Sequence, residues 1–319
     1  MENNPFFSII LPVFNRENRI NRAIQSILDQ EFNDWELIIV NDASTDGTKE
    51  ILDKIDYPQI RVIHNEVNSE RCVSRNIGIE HAKGEFICFL DSDDYHLPFH
   101  LTRIYDLIKS RNFEKAFYFS NAYNESESGE RSDRFCPNLD TNEPYHYFLK
   151  FTVNPQRWAV HKSIFEKVKF DPEVIICEDM DTSMRIIAAG FPVYQLQERT
   201  TVYVAASDSF THGDSNKWEK ELFYLKRIFD KKEFKGKLPL FSKWRLLSMC
   251  NYHLAAKMQK KGNKIGMYGH IFKAFFLFPK GYNNRTNFPM LIMFLYELPI
   301  LGIVLKKAVT LKKTTIILQ

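Results

Sequence analysis

A chain of 319 residues, 44% of them apolar, can bury one substantial core and an appended unit, since single domains commonly take about 100 to 250 residues. Its net charge of +3 is too slight to argue for a nucleic-acid partner, and no stretch combines a basic stripe with stacking aromatics. The five cysteines (Cys72, Cys88, Cys136, Cys177 and Cys250) show none of the close pairs of zinc or redox motifs, and Met1 to Pro5 lacks the basic region of a signal peptide. These features describe a reduced, cytoplasmic protein.

In chain order, Phe7 to Val13 has the continuous apolar character of a strand buried on both faces. Ile20, Ala23, Ile24, Ile27 and Leu28 recur at helical spacing, which predicts an amphipathic helix over Glu17 to Gln30. A second buried strand, Trp35 to Val40, leads through a polar turn to a helix over Thr48 to Ile55, with Asp46 placed to cap it. Ile60 to His64 reads as a short strand, Val73 to Ala82 as a helix and Phe86 to Leu90 as a strand. Such alternation predicts right-handed crossovers, a parallel sheet and ligand crevices beyond the carboxyl ends of its strands. A helix over Pro98 to Ser110 and a strand over Ala116 to Ala122 follow, then a polar loop over Asn124 to Asp133 that joins two antiparallel strands or lies disordered. Ile175 to Cys177 brings the chain to Glu178-Asp179 and a helix over Thr182 to Ala189, which Gly190 terminates.

Beyond about Ser207 the character changes to lysine-rich helical segments, including Lys217 to Lys232 and Trp244 to Lys261. We place the boundary there, giving a catalytic domain over 1–206 and a helical extension over 207–319. Phe288 to Val304 is nearly all apolar but short of the ~20 residues a spanning helix needs. With Lys306, Lys307, Lys312 and Lys313 behind it, it fits an interfacial membrane helix about as well as a helix docked on the domain, and we expect peripheral membrane contact.

The most informative feature is Asp91-Ser92-Asp93, where a buried strand opens into solvent. Side chains two apart on an extended segment project to one side, so both carboxylates can converge on a hard cation. Few protein carboxylates is the pattern of Mg²⁺ or Mn²⁺ shared with substrate phosphates. Taken alone, the spacing fits a turn or helix cap as well.

Five segments together resemble glycosyltransferase family 2: Ser8-Ile-Ile-Leu-Pro-Val-Phe-Asn15, Val40-Asn-Asp-Ala-Ser-Thr-Asp-Gly-Thr48, Arg75-Asn-Ile-Gly78, Phe89-Leu-Asp-Ser-Asp-Asp94 and Glu178-Asp179. The resemblance implies an α/β fold of the GT-A type, a Rossmann-like, mainly parallel sheet flanked by helices. It implies a nucleotide-sugar donor, with Asp42 accepting the imino hydrogen of uracil and Pro12, Val13, Phe14 and Asn15 lining the same pocket. Asp93 would ligate the metal directly and Asp91 would face the ribose or a metal-bound water, with Ser92 between them and His212 a further candidate ligand. Asp179 would be the general base and Glu178 would orient the acceptor, giving a single displacement and an inverted anomeric product.

From their own chemistry, Arg75 and Arg71 offer positive charge near the nucleotide, while Asp94 and Asp181 read as a turn residue and an acidic first turn. Trp158, Arg157 and Tyr145 are candidates for an acceptor platform. Two departures from the family pattern bear on the acceptor side: Cys177 stands where a glycine is often found, and Ala205-Ala206-Ser207-Asp208 stands where basic residues are frequent. The expected activity is transfer of a sugar from a UDP-sugar to a glycan or lipid-linked acceptor at the inner face of a membrane. The rivals are a non-catalytic sugar-nucleotide-binding scaffold and a sugar nucleotidyltransferase. The latter normally needs a glycine-rich basic loop after the first strand, where this chain has Pro12-Val13-Phe14-Asn15.

Overall fold

A computed structural model of the protein describes residues 4–205 and 216–277. The described strands are β1 (Phe7–Val13), β2 (Trp35–Asn41), β3 (Ile60–His64), β4 (Phe86–Phe89), β5 (Tyr95–His96), β6 (Phe117–Glu125), β7 (Arg131–Asp133), β8 (Trp158–His161) and β9 (Val193–Val204). The helices are α1 (Ile20–Leu28), α2 (Thr48–Leu52), α3 (Glu70–His81), α4 (His100–Ser110), α5 (Pro144–Phe148), α6 (Lys162–Phe165), α7 (Glu178–Ala188), α8 (Lys217–Phe229), α9 (Leu240–Lys260) and α10 (Lys264–Leu277).

The strands form one sheet in the order β3-β2-β1-β4-β8-β6-β9-β5, with β7 paired to β6. β3, β2, β1 and β4 run parallel, β8 runs antiparallel to both β4 and β6, and β9 returns parallel to β6. The sheet is therefore mixed rather than wholly parallel. Its centre is apolar on both faces: Phe7, Ile9, Ile10 and Leu11 of β1 are fully buried, as are Leu37 to Val40 of β2. On α1, Ile20, Ala23, Ile24 and Ile27 form the buried stripe that the spacing predicts, although the helix starts at Ile20 rather than Glu17. Gly78 lets α3 lie close on β1, because a Cβ there would stand 2.4 Å from Ile10 Cγ2.

Three strands are absent from the sequence reading. β5 is only two residues long, β8 lies in the stretch given no element, and β9 pairs along the length of β6 with an irregularity beside Asn121. The Asn124 to Asp133 loop is a hairpin, since Glu125 pairs antiparallel with Arg131.

The chain divides into two compact units, one of Met1–Ser215 with Asp230–Lys237 and one of Asn216–Phe229 with Leu238–Gln319. In the second unit α10 folds back antiparallel on α9, where Met267 and Ile271 pack on Ala255, and Ser248 Oγ donates to the Ala274 carbonyl at 2.8 Å. No helix among the described residues is long and apolar enough to cross a membrane. The apolar segment 288–304 and its following lysines lie outside the described residues.

Candidate active site

The winding of the chain creates the crevice. It runs from β1 outward through β2 to β3 and then returns to lay β4 on the other side of β1, so the connections diverge at the carboxyl ends of β1 and β4. Open α/β sheets bind ligands at such a switch point. Pro12 to Asn15, Asp42 and Asp91 to Asp93 all sit at these strand ends.

Two residues there adopt the left-handed conformation, Asn15 (φ 52) and Ala43 (φ 59). Asn15 joins the two turns, its amide donating to Ser44 Oγ at 3.0 Å and its Oδ1 accepting from the Thr45 amide at 2.8 Å. Asp42 is buried, and both its hydrogen bonds, from Asn65 Nδ2 at 2.8 Å and the Ser69 amide at 2.9 Å, fall on Oδ1. Its Oδ2 is left to accept from a ligand. Val13 is buried, whereas the Phe14 ring is exposed.

Arg75 links the two acidic motifs. Its side chain is buried on α3, with Nη2 2.8 Å from Asp91 Oδ1 and Nη1 3.2 Å from Glu178 Oε1. Burial works against its charge, but the carboxylates of Asp91 and Glu178 outweigh it and hold the guanidinium protonated. Arg71, one turn earlier, also reaches Glu178 Oε1, at 3.5 Å. Sequence reading gave these arginines to the nucleotide alone, yet both face the Glu178-Asp179 motif as well.

Glu178 and Asp179 occupy the first turn of α7, which starts four residues earlier than expected. The start is set by Cys177, whose φ of 63° is left-handed. That explains why glycine suits the position, because only glycine enters this region without steric cost. Asp179 is buried and its Oδ1 accepts from the Met180 amide at 2.7 Å. Burial first, and then the adjacent Glu178 charge, push its carboxyl up to about 7, against the opposing pull of the Met180 amide and Arg75.

The Asp93 carboxylate accepts no hydrogen bond from any described side chain, while its carbonyl receives Arg22 Nη2 at 2.9 Å. Burial and the neighbouring Asp91 charge raise its pKa, with Arg16 pulling the other way. Two adjacent carboxylates, one unpartnered, make a hard oxygen donor set that suits Mg²⁺ or Mn²⁺. No cluster of three or more His, Cys, Asp or Glu able to hold a metal occurs among the described residues, so a cation here would complete its shell from phosphates or water. His212 lies outside the described residues.

Several expectations change. Trp158 and Arg157 are core residues, 0% and 1% exposed, and cannot offer a face to an acceptor sugar. Trp158 packs against Phe117 and Phe170, and Arg157 Nε donates to the Ser120 carbonyl at 2.6 Å. Asp94 is no turn residue: it is buried and accepts from Gln156 Nε2 at 2.5 Å and the Val204 amide at 2.9 Å, tying the end of β9 to the acidic turn. Asp181 is fully buried, paired with Arg185 at 2.8 Å and Lys231 at 2.7 Å. A network beside Asp93 also escaped notice. Tyr95 Oη donates to Glu125, Arg131 bonds both, and Arg22 lies 3.6 Å from Glu125, so the β6–β7 hairpin braces the acidic turn. The four acids and bases are far apart in sequence, and only the run Asp91-Ser-Asp-Asp94 hinted that its last member had a separate task.

The comparisons agree with this geometry. The family model for glycosyl transferase family 2 matches residues 8–168. A Bacillus subtilis protein, TuaG, whose name assigns it provisionally as a teichuronic acid biosynthesis glycosyltransferase, is 30% identical over 72% of this chain and 90% of its own length. The Escherichia coli UDP-Glc:alpha-D-GlcNAc-diphosphoundecaprenol beta-1,3-glucosyltransferase WfaP is 37% identical over 38% of this chain and 47% of its own. The solved structure of S. aureus TarS 1-349 in complex with UDP-GlcNAc superposes with a TM-score of 0.60 at 19% identity, covering 84% of this chain and 81% of that one. The architecture is thus the GT-A fold, and the chain belongs to glycosyltransferase family 2 and is a glycosyltransferase.

Proposed function

We propose that the chain transfers a sugar from a UDP-sugar to a hydroxyl of a lipid-linked or polysaccharide acceptor, with inversion at the anomeric carbon and Asp179 as general base. The observation that carries this reading is the Arg75 bridge, which brings the acidic turn at the end of β4 and the Glu178-Asp179 motif into one ion triad. A UDP-sugar is supported by the free Oδ2 of Asp42 and by the UDP-Glc and UDP-GlcNAc named for WfaP and TarS. The WfaP name also supports a lipid-linked acceptor.

In this reading Asp42 accepts the uracil N3–H, a charged hydrogen bond worth on the order of 1.5 to 3 kcal/mol. Asn15 and Ala43 hold the two turns that line the nucleotide. Asp93 and Asp91 would hold Mg²⁺ or Mn²⁺, which when bound neutralises the departing diphosphate. Asp179 takes the proton from the acceptor hydroxyl as its oxygen attacks the anomeric carbon. The bond from that carbon to the β-phosphate oxygen breaks, and the electron pair leaves with UDP. A base whose pKa lies near 7 matches general-base catalysis at neutral pH. Arg75 and Arg71 hold Glu178, and through it the first turn of α7, in register with the donor.

Calorimetry with UDP, GDP and dTDP, each with Mn²⁺ and with EDTA, tests the donor side. The expected result is metal-dependent binding of UDP, weakened when Asp42 or Asp93 is replaced by Ala. Absence of UDP binding in folded protein would favour the scaffold reading.

A further inference from the structure

Charge is segregated along this chain in a way the net value conceals. Residues 1–215 carry 22 Lys and Arg against 35 Asp and Glu, whereas residues 216–319 carry 21 against five. A polarity of this size points to an anionic partner for the second segment. The helix α10 shows where one would bind. Its inner face, Met267, Ile271 and Ala274, is buried. Its outer face exposes Ile265, Phe272 and Phe276, which are 86%, 58% and 65% accessible.

These three positions, spaced by seven and four, form a single stripe about 17 Å long at ~1.5 Å per residue. The Phe272 and Phe276 rings meet at 4.3 Å. Exposed Lys264 and Lys273 flank the stripe on either side, Lys260 and Lys261 stand at the α9–α10 corner, and α10 contains no acidic residue. The occupant must therefore be apolar within and anionic at the rim. A second copy of this helix supplies the first property but repels through the second. Residues 278–319, with six Lys and Arg against one Glu, bring no compensating charge.

We propose that the outer face of α10 is a docking surface for an anionic lipid membrane, with Phe272, Phe276 and Ile265 entering the headgroup boundary and the flanking lysines meeting lipid phosphates. This deepens the lipid-linked acceptor reading and rests on it for its purpose. Vesicle binding and UDP binding are measured separately, so either can fail alone.

The test is flotation of the full chain with vesicles of phosphatidylcholine, and of phosphatidylcholine mixed with an equal amount of phosphatidylglycerol. Binding to the mixed vesicles and not the neutral ones is expected. The pair Phe272→Ser with Phe276→Ser, or Lys264→Gln with Lys273→Gln, should weaken it by about tenfold or more while circular dichroism and UDP affinity stay unchanged. Undiminished flotation of the phenylalanine pair would overturn the proposal by assigning the contact elsewhere in the chain. Equal binding to neutral vesicles would overturn it too, as would self-association that the same pair abolishes in a chain that ignores vesicles.

Discussion

Asp179 combines a buried position with a neighbouring like charge, and both raise its pKa to about 7. The consequence for stability has a definite sign. The folded state holds the proton more tightly than the unfolded chain, so this group's contribution is complete below the ordinary carboxylate range and is lost as pH rises from there towards about 7. Asp179→Asn removes the penalty. Its melting temperature should exceed the wild type's at pH 8, by an amount on the order of 2 kcal/mol, with the gain shrinking towards pH 4. The same titration should give the wild-type rate an ascending limb near neutral pH that the variant lacks. Much at this scale was legible beforehand. Asp42, Arg75, Asp91, Asp93 and Asp179 stand in motifs whose order alone marks them, and their carboxylates and guanidinium fall where the chain winding needs them. Trp158 and Arg157 were not legible, because an aromatic or a guanidinium in sequence carries no sign of whether it faces a ligand or, as here, the core.

Among the elements, α3 does more than cover the sheet. Arg75 and Gly78 lie one turn apart on it, and the absence of a side chain at Gly78 sets the distance at which Arg75 meets Asp91 and Glu178. In Gly78→Ala the added methyl would stand 2.4 Å from Ile10 Cγ2, so helix and strand must part. We expect a loss of about 1–3 kcal/mol in thermal unfolding, with weaker UDP binding by calorimetry, since overpacking at a close contact forces a backbone shift. Unchanged stability and affinity would show that α3 is free to move without disturbing the triad. The strands β1 to β4 and the helices between them announced themselves by apolar runs and helical spacing because each is buried on a face that imposes a period. β8 and β9 did not. β8 is four residues long, and β9 alternates weakly through Gln195, Gln197, Glu198 and Arg199, so its strand character comes from pairing with β6 rather than from its own pattern. The same strand ends beside Asp94, which is why that acid could be assigned only from the fold.

For the whole molecule, an acidic first segment bearing the catalytic motifs is followed by a basic helical one. That division fits an enzyme that binds a soluble nucleotide with one part and meets an acceptor at an anionic surface with another. Its central claim is that donor binding and proton removal are separate tasks of residues joined by Arg75. The most direct test is to measure UDP affinity and sugar transfer side by side in Asp179→Asn. Affinity within about twofold of wild type, with turnover lower by about 10² to 10⁴, is the predicted result. Turnover near the wild-type rate, or loss of UDP binding together with turnover, would contradict the account.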